Sequence, residues 1–195
     1  MLNREQMEKE IRERWFKDHV ATLTTHGELQ VLRWKKPGTG IYGCSYVFDG
    51  NHMYISGDIG WAVFCLTWKA SIHSFDVNIH YFDEKLSASS EERRDFNAEK
   101  AKSRLREWLK DLKEGDRKYD HDDMKKLFEQ ARGCDRHSEW AEIVNSNIDF
   151  ISGLDCDYWE WIYSIGDEIP TRVYGWLIGL KMASEQLKNK GLEAS

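Results

Sequence analysis

The sequence predicts an α+β protein with an N-terminal helix, an antiparallel sheet of about four strands and a helical C-terminal half. Three observations indicate this class. Apolar residues recur at helical spacing near the start, short β-branched and aromatic runs follow from about Ala21 to Lys69, and helical spacing then returns. With 195 residues and two prolines, we expect a single globular domain over residues 1–195, with the helix and sheet over about 1–90 and the helical part over about 91–195.

The N-terminal helix is predicted from Asn3, a suitable N-cap residue, to about His19. Met7, Ile11 and Trp15 recur at four-residue spacing, so they share one face of that helix. Charges of both signs fill the other faces. This pattern is typical of a surface helix with one buried stripe.

Four stretches predict the strands, and turn sequences separate them. The stretches are ELQVLRW, IYGCSYVF, HMYIS and WAVFCLTW. Asp49-Gly50-Asn51 lies between two of them and predicts a tight hairpin, because Gly and Asn tolerate positive φ. The next segment, from Ser71 to Ser90, is compatible with a short helix followed by an extended His-Tyr-Phe segment.

The second half of the chain carries five helical patterns. They cover Asn97–Leu112, Asp122–Ala131, Ser138–Val144, Asp155–Ile165 and a last segment from Pro170 to about Lys190. The first pattern buries a stripe of Ala101, Leu105, Trp108 and Leu112. We expect Asp122 to cap the second helix and Gly191 to end the last one.

Charge and cysteine content limit the function classes. The net charge is −6, and from Arg136 onward ten carboxylates oppose five cations. This balance argues against general nucleic-acid binding, which needs cations to displace counterions. Four cysteines without close pairing, no apolar signal core and no apolar run near 18 residues predict reduced thiols in an intracellular protein with no membrane segment.

The stretch from Asp155 to Glu168 is unusually aromatic, with the sequence DCDYWEWIYSIGDE. Taken as a helix, it is apolar around most of its circumference, so it lies centrally in a core or is covered by a partner. On the second interpretation, the partner-binding residues are Asp157, Trp159, Glu160, Tyr163, Asp167 and Glu168. The partner is another protein or a second copy of this chain.

The segment from Trp34 to Gly43 is an alternative, anion-binding site. Lys35 and Lys36 precede Gly38 and Gly40, where backbone amides could approach a phosphate. The sequence lacks the Gly-Lys-Ser/Thr of a P-loop, and a strand follows rather than a helix. The other interpretation is a flexible hairpin loop with solvated lysines.

No complete catalytic or metal-binding motif is found in the sequence. Cys134 and His137 form only half of a zinc site, and His73 and His80 lie seven residues apart without a third ligand. We therefore expect no cofactor, no metal and no catalytic residues, and we expect a binding protein rather than an enzyme.

The segments YVFDGNHMYISGDIGWAVF, HYFDEKLSAS and YGWLIGLKMASEQL resemble a family of uncharacterised prophage-encoded proteins. No reaction or site is attached to that family, and no functional residue is carried over. The resemblance implies a phage accessory protein in the host cytoplasm. It further implies an anti-defence inhibitor that binds a host defence protein such as a CRISPR effector nuclease, in the manner of anti-CRISPR proteins. The alternative is a small-ligand protein that sequesters or degrades an immune signalling nucleotide.

Overall fold

The computed structural model describes residues 4–193, with side chains described as far as Gly191. Internal contacts divide the chain into two compact units. Unit 1 combines Met1–Glu91 with Pro170–Ser195, and unit 2 is Glu92–Ile169. The last helix thus belongs with the sheet rather than with the helices of unit 2. Among the described residues, no helix is long and apolar enough to span a membrane.

Unit 1 begins with the predicted N-terminal helix. Helix α1 (Arg4–Glu10) continues into a π-helical turn, Ile11–Trp15. Ile11 is buried, and Met7 and Trp15 are half-buried, so the predicted apolar stripe is confirmed. The predicted N-cap, Asn3, lies outside the described residues.

Unit 1 contains a six-stranded antiparallel sheet whose strand order follows the chain. The strands are β1 (Val20–His26), β2 (Leu29–Lys35), β3 (Cys44–Asp49), β4 (His52–Gly57), β5 (Ala62–Cys65) and β6 (Leu86–Ser89). The antiparallel sheet is confirmed, but about four strands was too few. The four predicted stretches correspond to β2–β5, while β1 and β6 at the two edges were missed.

The register of the sheet follows from its turns and its alternating side chains. Asp49 pairs with His52 across a two-residue turn in which Gly50 has φ +57°, as expected for a tight hairpin. One face carries the buried core, including Leu32, Trp34 and Phe64. A slip of one residue would turn these side chains to the opposite face.

Two helices complete unit 1. In α2 (Ile79–Glu84), Asn78 caps the first turn by accepting a hydrogen bond from the Tyr81 amide at 2.9 Å. The extended His-Tyr-Phe segment was therefore wrong, because these residues lie inside α2. Helix α7 (Thr171–Glu193) packs on β1, β2 and α2. It continues through Gly191, so the predicted end at that residue was also wrong.

Unit 2 is mainly helical. Strands β7 (Asp95–Phe96) and β8 (Asp167–Glu168) pair antiparallel, and between them lie α3 (Ala98–Glu114), α4 (His121–Gly133), α5 (His137–Ser146) and α6 (Ile148–Leu154). The buried stripe of α3, which is Ala101, Leu105, Trp108 and Leu112, is as predicted. These residues join one apolar core with side chains from α4, α5 and α6.

Two local predictions in unit 2 are corrected. Asp120 caps α4, with its Oδ1 accepting from the Asp122 and Asp123 amides at 2.8 and 3.0 Å. Asp122 therefore lies within the helix and is not its cap. The predicted helix over Asp155–Ile165 is absent from the described chain, because α6 ends at Leu154 and two 3-10 turns, Tyr158–Glu160 and Ile162–Ser164, follow.

Candidate functional site

The two 3-10 turns after α6 place Trp159 on the surface and Trp161 against the core. Asp155 leaves the helical conformation, and its two carboxylate oxygens accept from the Asp157 amide at 2.9 Å and from Trp161 Nε1 at 3.0 Å. Such side-chain hydrogen bonds offer the backbone an alternative to the helix. Trp161 is held at the core of unit 2, while Trp159 extends into solvent.

Trp159 is the centre of the most unusual surface in unit 2. Its side chain is 61% exposed, although Trp is highly buried on average. Asp157 and Glu160 on either side are also exposed. Within the part of the chain that the structure describes, no hydrogen bond or ion pair engages the carboxylate of either residue. We name these three residues the Trp159 surface.

The Trp159 surface lies in a long acidic stretch of the chain. Between Arg136 and Arg172 the sequence contains no Lys or Arg. The carboxylates in that interval are Glu139, Glu142, Asp149, Asp155, Asp157, Glu160, Asp167 and Glu168. The carboxylates are therefore uncompensated along this stretch of the sequence, although in the fold Arg117 of the same unit donates to the Leu154 carbonyl at 2.6 Å.

The other three predicted partner-binding residues have structural contacts. The Tyr163 hydroxyl donates to Asn145 Oδ1 at 2.7 Å, and its ring packs on the core of unit 2. His137 Nδ1 lies 2.7 Å from Asp167 Oδ1. The Asn97 side chain donates to Glu168 Oε1 at 2.6 Å. The structure thus places Asp157, Trp159 and Glu160 together on the surface, and gives Tyr163, Asp167 and Glu168 partners within unit 2.

The Lys35–Gly43 loop makes several contacts within unit 1. Lys36 Nζ lies 2.8 Å from Asp18 Oδ2, and its hydrogen bond and charge lower the pKa of Asp18. The loop turns at Gly38, where φ is +81°. Lys35, Gly38 and Gly40 are exposed.

Four amides of this loop already donate within the protein. Those of Thr39 and Gly43 donate to loop carbonyls, that of Ile41 to the Thr39 hydroxyl, and that of Tyr42 to Asp58 Oδ2 at 2.8 Å. These amides would have to exchange partners to hold a phosphate. Anion binding at Lys35, Lys36, Gly38 and Gly40 stays a prediction.

The half-site for a metal also has protein partners. The Cys134 thiol donates to the Arg136 carbonyl at 3.2 Å, and His137 faces Asp167 as described above. Burial raises the pKa of the Cys134 thiol to about 11, which disfavours the thiolate that a metal needs. In residues 4–193, no group of three His, Cys, Asp or Glu side chains is placed to hold a metal ion.

Unit 1 contains a second site that the sequence pattern did not indicate. A cleft of about 260 Å³ lies beside α7, where His73 Nδ1 is 2.7 Å from Ser184 Oγ. The two residues are 111 positions apart. His73 was predicted only as a half of a histidine pair with His80, and Ser184 gave no signal because its partner is brought to it by the fold.

The Trp159 surface has the chemistry of an interaction site. It offers an indole that could enter a partner's pocket and two carboxylates that could pair with a partner's cations.

Compared with known proteins, the chain matches no family model, no curated protein and no solved structure.

Proposed function

We propose that the chain functions by binding another protein through the Trp159 surface, and that the partner presents a basic groove. The observation that carries this proposal is the exposure of Trp159, at 61%, between two carboxylates without partners in the described chain. Trp is enriched among the residues that contribute most binding energy at protein interfaces. Contact of the exposed indole with water is unfavourable in the free protein, and burial of the indole in a partner's pocket would remove that unfavourable free energy.

The carboxylates favour a cationic partner. Asp157 and Glu160 lie in a stretch with no Lys or Arg, so they attract basic surfaces and repel acidic ones. Basic grooves are typical of proteins that bind the phosphate backbone of nucleic acids. An acidic surface with a central indole could occupy such a groove in place of nucleic acid.

The resemblance to prophage-encoded proteins supports a particular class of partner. A phage protein that blocks the nucleic-acid groove of a host defence protein would act as an inhibitor without a catalytic step. We propose a CRISPR effector nuclease as that partner, in the cytoplasm of the host. The proposal needs no cofactor, because the interaction is made by side chains of this chain.

The test is a binding measurement on an immobilised panel of purified CRISPR effector nucleases. We expect the wild-type chain to bind at least one of them, with an association rate that falls as salt is raised, because charges steer the encounter. Removing the charges with Asp157→Asn and Glu160→Gln together should slow association more than it accelerates dissociation.

A matched control removes the same number of charges elsewhere in unit 2. Asp111 and Glu129 are exposed on α3 and α4, and changing them to Asn and Gln leaves the Trp159 surface unaltered. The association rate of this control should stay close to that of the wild type. Equal slowing by both double variants would mean that only net charge matters. Self-association abolished by Trp159→Ala would instead assign the surface to a second copy of this chain.

A further inference from the structure

The six-stranded sheet of unit 1 has one face that points away from the core. Side chains alternate between the two faces along each strand, so this face carries the sequence neighbours of the buried Leu32, Trp34 and Phe64. We name it the open face. One row of its side chains crosses all six strands, each paired with the next, and consists of Thr24, Val31, Val47, Tyr54, Val63 and Ala88.

The middle of this row is apolar. Val31, Val47 and Val63 are half-buried, and Tyr54 is 41% exposed. The solvated face of an antiparallel sheet is commonly polar. Burial of this apolar row against a second sheet would therefore be favourable, because it removes the row from water.

The two ends of the open face carry opposite charges. Arg33 lies two residues from the row on β2, and Lys35 ends that strand. At the other end, Asp49 lies two residues from Val47 on β3, and Glu28 immediately precedes β2. All four charged side chains are exposed. The open face is thus basic on one side of the apolar row and acidic on the other.

Most of these charges have no partner of opposite sign. In the part of the chain that the structure describes, Arg33, Lys35 and Asp49 make no side-chain hydrogen bond or ion pair. Glu28 lies 3.6 Å from Lys69, but 85% of the Glu28 side chain is exposed. Charges of both signs are therefore available to a second molecule.

Arg33 and Asp49 lie too far apart to pair within one chain. Arg33 is opposite Ser45 on the neighbouring strand. Asp49 is four residues further along that strand, which corresponds to about 13 Å. An ion pair between these two residues can therefore form only between two copies of the chain.

We propose that the open face joins two copies of this chain in a face-to-face dimer with two-fold symmetry. A two-fold axis along the apolar row lays the row on its own copy and reverses the strand direction. The basic end of each face then meets the acidic end of the other, with Arg33 near Asp49 and Lys35 near Glu28 of the other copy. Sheets packed face to face lie about 10 Å apart, a gap that Arg and Lys side chains can bridge. A second copy has the required pattern of charges, which any other partner would have to match.

The test of the dimer is sedimentation velocity of the full chain over a range of concentrations. Six strands spaced about 4.8 Å apart span only about 24 Å, and small interfaces are typical of transient complexes. We therefore expect a monomer–dimer equilibrium with a dissociation constant on the order of 10–100 µM. A chain that stays monomeric up to about 500 µM, several times that constant, would overturn the proposal.

A substitution in the row tests whether the open face is the interface. Tyr54→Lys places a charge in the middle of the apolar row, opposite the row of the other copy, and should weaken dimerisation about tenfold or more. Ile148→Lys is the matched control, since Ile148 is an apolar residue of unit 2 that is 38% exposed, and it should dimerise as the wild type does. Melting curves at low concentration check that both variants fold. Equal dimerisation by the two variants would overturn the proposal.

An exchange of charges tests the pairing itself and does not depend on the Tyr54 variant. Arg33→Glu brings carboxylates together across the interface, and Asp49→Lys brings cations together, so each alone should weaken dimerisation about tenfold. The double variant again has opposite charges at these positions and should dimerise within about threefold of the wild type. A double variant that dimerises no better than the single variants would contradict this arrangement of the two copies.

The dimer is independent of the proposed function, because the Trp159 surface belongs to unit 2. Trp159→Ala should leave the dissociation constant of the dimer unchanged. Loss of the dimer in that variant would overturn the proposal and assign self-association to the Trp159 surface. Binding to effector nucleases, measured well below the dissociation constant of the dimer, reports on the monomer, so failure of one proposal is distinguishable from failure of the other.

Discussion

Replacing Trp159 by Ala separates a binding residue from a packing residue. About two fifths of the Trp159 side chain is covered, since it is 61% exposed. A fully buried aromatic side chain removes about 150–250 Å² from water, so Trp159 buries about 60–100 Å² of apolar surface. At about 25 cal/mol per Å², truncation costs at most about 1.5–2.5 kcal/mol of unfolding free energy.

Trp140 provides the contrast within the same unit. It is 0% exposed, and its Nε1 donates to the Ile162 carbonyl at 2.7 Å. Truncation of such a residue to Ala leaves a cavity and an unpaired carbonyl, at a cost of about 3–5 kcal/mol. Urea denaturation of Trp159→Ala and Trp140→Ala should therefore give clearly different midpoints, with the Trp159 variant closer to the wild type.

Partner binding should depend on Trp159 more strongly than the stability of the fold does. An interface residue of this kind contributes about 2 kcal/mol or more, so Trp159→Ala should weaken partner binding about 30-fold. The matched control is Trp61→Ala, which truncates a Trp that is 50% exposed in unit 1. Equal destabilisation by Trp159→Ala and Trp140→Ala, or equal partner binding by Trp159→Ala and Trp61→Ala, would refute this role of Trp159.

Three further predictions concern other groups. Burial raises the pKa of the Cys44 thiol to about 12 and that of Cys134 to about 11, so a thiol reagent at pH 8 should label the two exposed cysteines quickly and these two only after denaturation. Burial lowers the pKa of His19 more than the nearby Tyr42 and Ile41 carbonyls raise it. In the unfolded chain, the imidazole of this residue takes up a proton near pH 6.5. Urea unfolding should therefore show stability falling as pH drops below about 6.5, and less steeply in His19→Gln. Lys35→Glu with Lys36→Glu should leave the melting temperature nearly unchanged, because both side chains are exposed. If the anion-binding alternative is right, calorimetry should detect nucleotide binding to the wild type and none to this double variant. If it is wrong, the wild type should not bind nucleotide either.

Elements with strong local signals could be predicted from the sequence. The Asp49–His52 hairpin was predictable because Gly50 allows the positive φ of a two-residue turn. The stripe of α3 was predictable because its four buried residues keep helical spacing over the whole element. The edge strands had weaker signals: β1 has the sequence VATLTTH and β6 the sequence LSAS, and both are short of large apolar residues.

Elements governed by specific side-chain contacts could not be predicted in this way. The stretch after α6 has apolar residues at helical spacing, but the two hydrogen bonds of the Asp155 carboxylate stabilise 3-10 turns instead. Of the residues named for partner binding in this stretch, Asp157, Trp159 and Glu160 are exposed, whereas Tyr163, Asp167 and Glu168 have partners within unit 2. Their role in binding stays a prediction. The cleft was missed, because His73 and Ser184 are distant in the chain and neither belongs to a motif.

The most direct test of the central claim is a competition experiment on a purified CRISPR effector nuclease that holds labelled nucleic acid. If the Trp159 surface enters the basic groove, the wild-type chain displaces the nucleic acid. Trp61→Ala then displaces it equally well, and Trp159→Ala needs about 30-fold more protein. Failure of the wild type to displace nucleic acid from any effector tested, or equal displacement by Trp159→Ala, would contradict the claim.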